Sequence, residues 1–193
     1  MIDILIIVMG YLLGGISTGY YLVRLLRRQD VRNYGSGATG ATNVGRMLGS
    51  KGFLLTFLGD VFKGCLIPTL AIYLELSDIT VILGLIAVVA GHVWPLQLGF
   101  RGGKGVATAF GGIVVIDPQL ALVLFAIAMG LLAITRKFAL SGLLVILGSS
   151  IISFLMSRST NRVIGILIVT MILLIAHRGN ITMMLEEVSN RRE

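Results

Sequence analysis

Residues 33–46 form the first of three polar segments whose residue types could hold a phosphate group. The segment reads NYGSGATGATNVGR and combines closely spaced glycines with hydroxyl side chains and a closing arginine. Glycines let the backbone turn tightly and bring successive N–H groups toward an anion. We therefore predict an anion-binding loop, with a flexible linker as the alternative. Its candidate contacts are Ser36, Gly37, Thr42, Asn43 and Arg46.

The same segment also satisfies the dinucleotide pattern G-x-G-x-x-G, through Gly35, Gly37 and Gly40. That pattern binds a dinucleotide only when a strand of a βαβ unit precedes it. An apolar run of helical length precedes it here, so the dinucleotide interpretation is not favoured.

Residues 97–105 form the second segment, QLGFRGGKG, which leads directly into a short apolar run. A glycine-rich turn at a helix N-terminus offers unpaired N–H groups and the positive end of the helix dipole. We expect an anion there, held by Gly102, Gly103, Lys104 and Gly105. The segment is not a Walker A loop, because the first glycine and the magnesium-binding hydroxyl of that motif are missing. The alternative is that its cations only anchor the loop at lipid headgroups.

Residues 177–180 form the third segment, HRGN, at the end of the last apolar run. His177 and Asn180 are three residues apart and can share one helix face. A histidine near two anion loops is a candidate base or hydrogen-bonding group. The alternative is an ordinary polar helix end. His92 precedes Pro95 near the same face, and an architectural role is favoured for it.

Asp60 and Lys63 lie within an apolar run, three residues apart, so they can form a buried ion pair on one helix side. Ionisable groups at membrane depth suggest function, but a neutralising pair is also the least costly structural arrangement. The histidines and carboxylates show no metal-ligand spacing, so we expect neither a metal nor a cofactor.

The elements that position these segments follow from composition. The chain has 193 residues, of which 56% are hydrophobic and 13% charged, and its mean hydropathy is +0.96. A soluble core could not bury so much apolar surface, so the sequence predicts an all-α integral membrane protein, with residues 1–193 as one polytopic domain. The chain has 16 Lys and Arg and 9 Asp and Glu, which gives a net charge of +7. In a soluble protein this excess would suggest binding to nucleic acid. Predicted spans are Ile4–Val23, Gly52–Leu76, Ile79–Leu98, Gly105–Ile116, Gln119–Thr135, Phe138–Met156 and Val163–Ala176.

The span Gly105–Ile116 is short, and the distribution of basic residues decides whether it crosses. With seven transmembrane helices, thirteen Lys and Arg lie on one side and two on the other. If this span and the next form one kinked crossing, the division becomes ten to five. The positive-inside rule prefers the first division, which places the N-terminus outside and the C-terminus in the cytoplasm. All three segments then share the cytoplasmic face, where they would form the active site. The excess charge needs no nucleic-acid partner.

Together the three segments resemble the bacterial acyl-phosphate:glycerol-3-phosphate acyltransferase (PlsY) family. The matching motifs read GSGATGATNVGR, GHVWPLQLGFRGGKGVAT and AHRGNI, with D-x-x-K-G from Asp60 as a further match. The resemblance implies transfer of a fatty acyl group from acyl phosphate to the 1-hydroxyl of sn-glycerol 3-phosphate, giving lysophosphatidic acid and phosphate. The resemblance also implies that the protein is located in the bacterial inner membrane. It further implies a functional link to the enzyme that makes acyl phosphate. The catalytic residues it implies are Ser36, Arg46, His177 and Asn180.

Acyl phosphate is already an activated anhydride, so no covalent acyl-enzyme is required, and catalysis reduces to positioning and charge. We expect Arg46 and Ser36 to hold the donor phosphate, and Lys104 with Gly102–Gly105 to hold the acceptor phosphate. His177 could orient or deprotonate the attacking hydroxyl, or a substrate phosphate oxygen could take that proton. Ser141 is a further candidate donor. The alternative function is a membrane transporter of an organic phosphate.

Overall fold

The computed structural model describes residues 1–136, 138–156 and 158–189, without the side chains of residues 138, 139, 180 and 183–189. Within these residues the secondary structure is helical, with no strand. Two short 3₁₀ turns lie at Val31–Asn33 and Leu96–Leu98. The α-helices are α1 Ile2–Gly15, α2 Thr18–Arg27, α3 Ala41–Tyr73, α4 Asp78–Val93, α5 Val106–Ile116, α6 Pro118–Thr135, α7 Phe138–Leu155 and α8 Thr160–Ser189.

The described helices include five stretches that are long and apolar enough to cross a bilayer, and two shorter apolar helices. The short pair comprises α5 and the part of α7 from residue 140 onward. Asp117 and Pro118 separate α5 from α6: the Asp117 side chain accepts a hydrogen bond from the Leu120 N–H, and Pro118 occupies the first helical position. The five long stretches are Ile2–Arg27, Ala41–Tyr73, Asp78–Leu98, Pro118–Thr135 and Thr160–Gly179.

The first predicted span is not one continuous helix. It is divided between α1 and α2, and Ser17 caps the start of α2 by accepting a hydrogen bond from the Tyr20 N–H. The predicted span lies within the stretch Ile2–Arg27, which is long and apolar enough to cross a bilayer, but the expected single helix is broken, and apolar composition does not reveal this break. A lysine from another helix binds the carbonyl groups at the break, as described below.

Two further boundaries differ from the predicted ones. The helix expected to start at Gly52 starts at Ala41, so the end of the first polar segment belongs to α3, which is interrupted by non-helical backbone at Gly49. The helix expected to reach Leu98 ends at Val93. As a result, residues 41–46 of the first segment form the first turns of α3, and the chain between α4 and the second segment is not part of α4.

The short helix α5 packs very closely on α3. A β-carbon at Gly64 of α3 would lie 2.0 Å from the Thr108 carbonyl oxygen, and one at Gly111 of α5 would lie 2.1 Å from the Val61 carbonyl oxygen. Glycine at both positions therefore permits a backbone approach that any side chain would prevent. This crossing fixes the position of α5, whose N-terminus directly follows the second polar segment.

At the opposite end of the bundle, ion pairs join helices that are distant in sequence. Arg158 lies 2.6 Å from Asp117 and also donates to Gln119, so it ties the α5–α6 turn to the α7–α8 connection. Arg162 pairs with Asp78 at 3.1 Å, which joins α8 to α4. These pairs hold together the end of the bundle remote from the three polar segments.

Candidate active site

A cavity of about 930 Å³ extends into the bundle between α3, α5, α6, α7 and α8. Side chains from all three polar segments reach it at one end, while the rest is lined mainly by apolar side chains. The cavity therefore combines a charged head with an apolar body. Its polar and charged lining residues are Ser36, Thr42, Asn43, Arg46, Asp60, His92, Lys104, Ser141, Ser149, Thr170 and His177.

Asn43 organises the first loop, residues 33–46. Its side-chain amide donates to the carbonyl oxygens of Val31, Tyr34 and Ala38 at 2.9 to 3.0 Å, and its oxygen accepts from the Ser36 N–H at 3.1 Å. The side chain is almost fully buried, at 2% exposure. With its hydrogen-bonding atoms engaged by the backbone, Asn43 holds the loop's shape, and it also borders the cavity, so the predicted substrate contact stays a prediction.

Ser36 and Arg46 lie on the exposed rim of the cavity. Gly35 and Gly37, on either side of Ser36, have left-handed backbone with φ of +55° and +69°. A β-carbon at Gly35 would lie 2.2 Å from the Asn43 oxygen, so glycine is required there on two counts. The loop ends at the N-terminus of α3, where unpaired N–H groups favour an anion.

Two hydrogen bonds connect the first loop, and the residue just before it, to the second loop. Arg32 donates to the Leu98 carbonyl oxygen at 2.7 Å, and the Thr39 N–H donates to the Gly102 carbonyl oxygen at 3.3 Å. Asp30 holds the Arg32 guanidinium through 2.7 to 3.1 Å contacts, and that cation keeps the pKa of Asp30 below its usual range. The two anion loops are therefore one connected unit.

In the second segment, two of the predicted anion contacts are already engaged. The Gly102 and Gly103 N–H groups donate to the carbonyl oxygens of Val93 and His92 at 3.2 and 3.1 Å. Glycine at position 102 lets the loop backbone approach the end of α4 closely, because a β-carbon on Gly102 would lie 2.1 Å from the His92 carbonyl oxygen. The two other predicted contacts of this segment, Lys104 and Gly105, lie next along the chain, at the start of α5.

Gly105 and Lys104 are the two remaining residues of the second segment that were predicted to contact an anion. Gly105 has left-handed backbone, with φ of +82°, and starts α5 without a side-chain cap. The first turn of α5, residues 105–107, borders the cavity beside Lys104. Burial lowers the pKa of the Lys104 ammonium, and the nearby Arg46 charge lowers that pKa further. Two cations and a helix N-terminus thus meet at the head of the cavity.

The third segment is helical in the structure, as expected if His177 and Asn180 share one helix face. α8 continues through residues 177–180, so His177 projects from a regular helix. His177 is 7% exposed, and its Nδ1 lies 2.7 Å from the Leu173 carbonyl oxygen. The side chain of Asn180 lies outside the described residues. Ser141 is buried at the cavity wall, with its hydroxyl 2.8 Å from that of Thr135.

Asp60 and Lys63 form a buried ion pair with 3.0 Å between Oδ1 and Nζ. Lys63 also donates to the carbonyl oxygens of Gly14 and Ile16 at 3.0 and 2.9 Å. These two carbonyls belong to the break between α1 and α2, and no sequence pattern predicts this contact. Among the described residues, no cluster of three His, Cys, Asp or Glu side chains could hold a metal ion.

The apolar body of the cavity is a feature that sequence reasoning missed. Its walls come from α5, α6, α7 and α8, and we call these residues the acyl groove. Apolar side chains are expected on every face of a membrane helix, so composition could not distinguish this groove from surfaces facing lipid. Its main side chains are Phe110, Ile113, Leu124, Phe125, Met129, Val145, Ile146, Ile166, Val169 and Leu173.

Comparison with known proteins bears on the function of this site. A family model described as glycerol-3-phosphate acyltransferase matches residues 4–187. The glycerol-3-phosphate acyltransferase 1 of Desulfitobacterium hafniense (strain Y51) is 57% identical over 192 residues, which cover 100% of this chain and 95% of that protein. The glycerol-3-phosphate acyltransferase of Clostridioides difficile (strain 630) is 42% identical and covers 94% of this chain and 91% of its own.

Two solved structures share the fold. Both are crystal structures of PlsY (YgiH), described as an integral membrane glycerol 3-phosphate acyltransferase. The glycerol 3-phosphate form superposes with a TM-score of 0.91 at 31% identity, covering 97% of this chain and 94% of that one. The lysophosphatidic acid form gives 0.88 at 29% identity, covering 97% and 93%.

Proposed function

The chain belongs to the glycerol-3-phosphate acyltransferase family, and we propose that it uses acyl phosphate as its acyl donor. It is an integral membrane acyltransferase with glycerol 3-phosphate as a substrate and lysophosphatidic acid as the product. This family membership replaces the transporter alternative. In the proposed reaction, the fatty acyl group moves to the 1-hydroxyl of sn-glycerol 3-phosphate and inorganic phosphate is released, without a covalent acyl-enzyme.

The observation that supports this donor is the composition of the cavity described above. Its head carries two cations on two connected loops, Arg46 and Lys104, and its body is the acyl groove. A reaction between an acyl phosphate and glycerol phosphate brings together two phosphate groups and one acyl chain. Each cation can neutralise one phosphate, and the groove accommodates the chain.

In the proposed mechanism, the 1-hydroxyl oxygen attacks the acyl carbonyl carbon. A new carbon–oxygen ester bond forms, and the bond from that carbon to the phosphate oxygen breaks. The hydroxyl proton passes to His177 or to a substrate phosphate oxygen. Arg46, with Ser36 and the N-terminal N–H groups of α3, holds the donor phosphate and stabilises the charge that develops as it leaves.

The acceptor phosphate is placed at Lys104 and the first turn of α5, beginning at Gly105. Gly102 and Gly103 shape this subsite from behind, because their N–H groups bind the end of α4. Thr42 and Ser141 border the same head region and supply hydroxyl groups. Asn180 remains a proposed contact by its position in the third motif.

The acyl groove extends away from this head toward the middle of the bundle. From His177 to Ile166, the cavity follows eleven residues of α8, about 16 Å at about 1.5 Å per residue. The acyl carbonyl would then sit at the junction between the groove and the charged head.

The proposed arrangement in the membrane is seven crossings in the bacterial cytoplasmic membrane, with the N-terminus outside and the C-terminus inside. The two short helices complete the five longer spans, and thirteen of fifteen loop Lys and Arg then face the cytoplasm. The active site opens on that face, where water-soluble glycerol 3-phosphate is available. An enzyme that makes acyl phosphate must supply the donor, which is the proposed functional link.

Substitution of Arg46 tests this assignment. Arg46→Ala should reduce turnover of acyl phosphate by about 10² to 10³-fold, because one fixed donor to a developing anion is removed. Arg27→Ala is the matched control, since Arg27 is exposed and does not border the cavity. Near-normal turnover of Arg46→Ala would refute the proposed donor site.

A further inference from the structure

Three ionisable side chains are buried together beside the head of the cavity. Asp60, Lys63 and His92 are 2%, 5% and 3% exposed. The Asp60 Oδ1 lies 3.0 Å from Lys63 Nζ and 3.6 Å from His92 Nδ1. Buried charges are costly unless they are paired, so this cluster needs a function or a strong structural reason.

Lys63 is satisfied by protein groups alone. An ammonium has three N–H donors. Lys63 Nζ donates to the carbonyl oxygens of Gly14 and Ile16, and it lies 3.0 Å from the Asp60 Oδ1 in an ion pair. Lys63 therefore stabilises the break between α1 and α2 and neutralises the charge of Asp60. It is not assigned to a substrate phosphate.

His92 connects this cluster to the glycine loop, residues 102–105. Its carbonyl oxygen accepts the Gly103 N–H at 3.1 Å. A β-carbon at Gly103 would lie 2.1 Å from His92 Nε2 and 2.7 Å from Cε1, so the loop backbone rests directly on the imidazole edge. The ring is thus held between the Asp60 carboxylate on one edge and Gly103 on the other.

This geometry argues against His92 as the base for the attacking hydroxyl. The Gly103 backbone lies beside its Nε2, and its Nδ1 lies 3.6 Å from the Asp60 Oδ1. The ring instead fixes where the glycine loop lies, and the next residue of that loop is Lys104. A shift of the ring would therefore move the cation assigned to the acceptor phosphate.

We propose that Asp60 and His92 are positioning residues for the glycerol-phosphate subsite: Asp60 orients the His92 ring, and the ring sets the position of the glycine loop. This inference rests on the assignment of Lys104 to the acceptor phosphate. Neither side chain enters the chemistry. The effect of their loss should fall on the acceptor and leave the acyl donor largely unaffected, because the His92 ring rests on Gly103, next to Lys104, and the contacts described for Asp60 and His92 do not include Arg46 or Ser36.

The test compares Asp60→Asn with Asp117→Asn in steady-state kinetics, varying each substrate in turn. Both variants remove the charge of a buried carboxylate that is paired with a cation, but Asp117 lies at the remote end, 2.6 Å from Arg158. Asp60→Asn should raise the KM for glycerol 3-phosphate about tenfold and change the donor KM by less than about twofold. Asp117→Asn should leave both KM values unchanged, even where it lowers the melting temperature.

A second variant keeps the test decisive if Asp60→Asn fails to fold. His92→Ala removes the surface on which Gly103 rests and should raise the same KM selectively. The inference is overturned if a folded variant leaves the KM for glycerol 3-phosphate unchanged, or raises both KM values equally. The KM for glycerol 3-phosphate is measured with whichever acyl donor supports turnover by the wild-type enzyme. The test of the positioning role therefore does not depend on whether acyl phosphate is the donor.

Discussion

The Nδ1 atom of His177 lies 2.7 Å from the carbonyl oxygen of Leu173, one turn earlier in α8. A carbonyl oxygen only accepts hydrogen bonds, so Nδ1 must carry the proton of the neutral ring. The lone pair is then on Nε2, the nitrogen that can accept from the hydroxyl of glycerol 3-phosphate. The helix thereby sets both the tautomer and the orientation of the imidazole.

Loss of this acceptor should reduce the rate of acyl transfer. We expect His177→Ala to lower kcat by about 10²-fold or more, the range for a positioned acid–base or orienting group. His177→Gln is the companion variant, because its amide oxygen can accept a hydrogen bond but does not take a proton at neutral pH. Substantial activity in His177→Gln would assign orientation to His177 and the proton to a substrate phosphate. An unchanged kcat in His177→Ala would contradict both roles.

The pH dependence of acceptor binding should report Lys104. Burial, and then the Arg46 charge, lower the pKa of Lys104 below the usual lysine value of 10.5. The ammonium form binds phosphate, so kcat/KM for glycerol 3-phosphate should fall as the pH rises through this lowered pKa, earlier than for an ordinary lysine. Lys104→Arg retains its charge to higher pH and should shift that fall upward, even if its maximum is lower. An identical alkaline limb in Lys104→Arg would exclude Lys104 as its source.

Replacing Asn43 should unfold the first loop. Any loss of substrate binding should follow from that unfolding. Asn43→Ala removes the hydrogen bonds to four loop backbone groups and should lower the free energy of unfolding by about 2–4 kcal/mol, with loss of activity. Thermal unfolding in detergent measures the first effect. Asn33→Ala is the control, because Asn33 is an exposed residue of the same segment. If Asn43→Ala kept wild-type stability and only raised a KM, the original prediction of a substrate contact would be supported.

Acyl-chain preference should respond to the far end of the acyl groove. Ile166 is 2% exposed and lines the deepest part of α8 that borders the cavity. Ile166→Phe should shorten the groove and shift the preferred acyl phosphate to a shorter chain, as measured across a series of chain lengths. Ile168→Phe, on the same helix but 40% exposed and outside the cavity, should not. An unchanged profile for Ile166→Phe would place the chain elsewhere.

The main features of the site could be predicted from the sequence because they depend on local chemistry. Glycines beside hydroxyls and a cation indicate an anion loop wherever they occur, and the first and second segments meet at one cavity. The distribution of charges likewise predicted that the short helix α5 is an element of its own. It begins at Val106 and ends at Ile116, within one residue of the predicted bounds.

Other features depend on tertiary contacts that no local pattern encodes. The break between α1 and α2 is stabilised by Lys63, which is 47 residues from the Ile16 carbonyl it binds. The framework role of Asn43 requires knowing that three loop carbonyls converge on it. The third segment is helical because α8 continues past the apolar span, which hydropathy alone does not predict.

The central claim, that acyl phosphate is the donor, is tested most directly by offering the alternatives in parallel. The purified protein in lipid is given labelled glycerol 3-phosphate with palmitoyl phosphate, palmitoyl-CoA or palmitoyl-acyl carrier protein, and lysophosphatidic acid is measured. We predict product from palmitoyl phosphate alone, without added metal, with phosphate released in equal amount. Product from a thioester but not from palmitoyl phosphate would contradict the account, because the site at Arg46 would then have no second phosphate to hold.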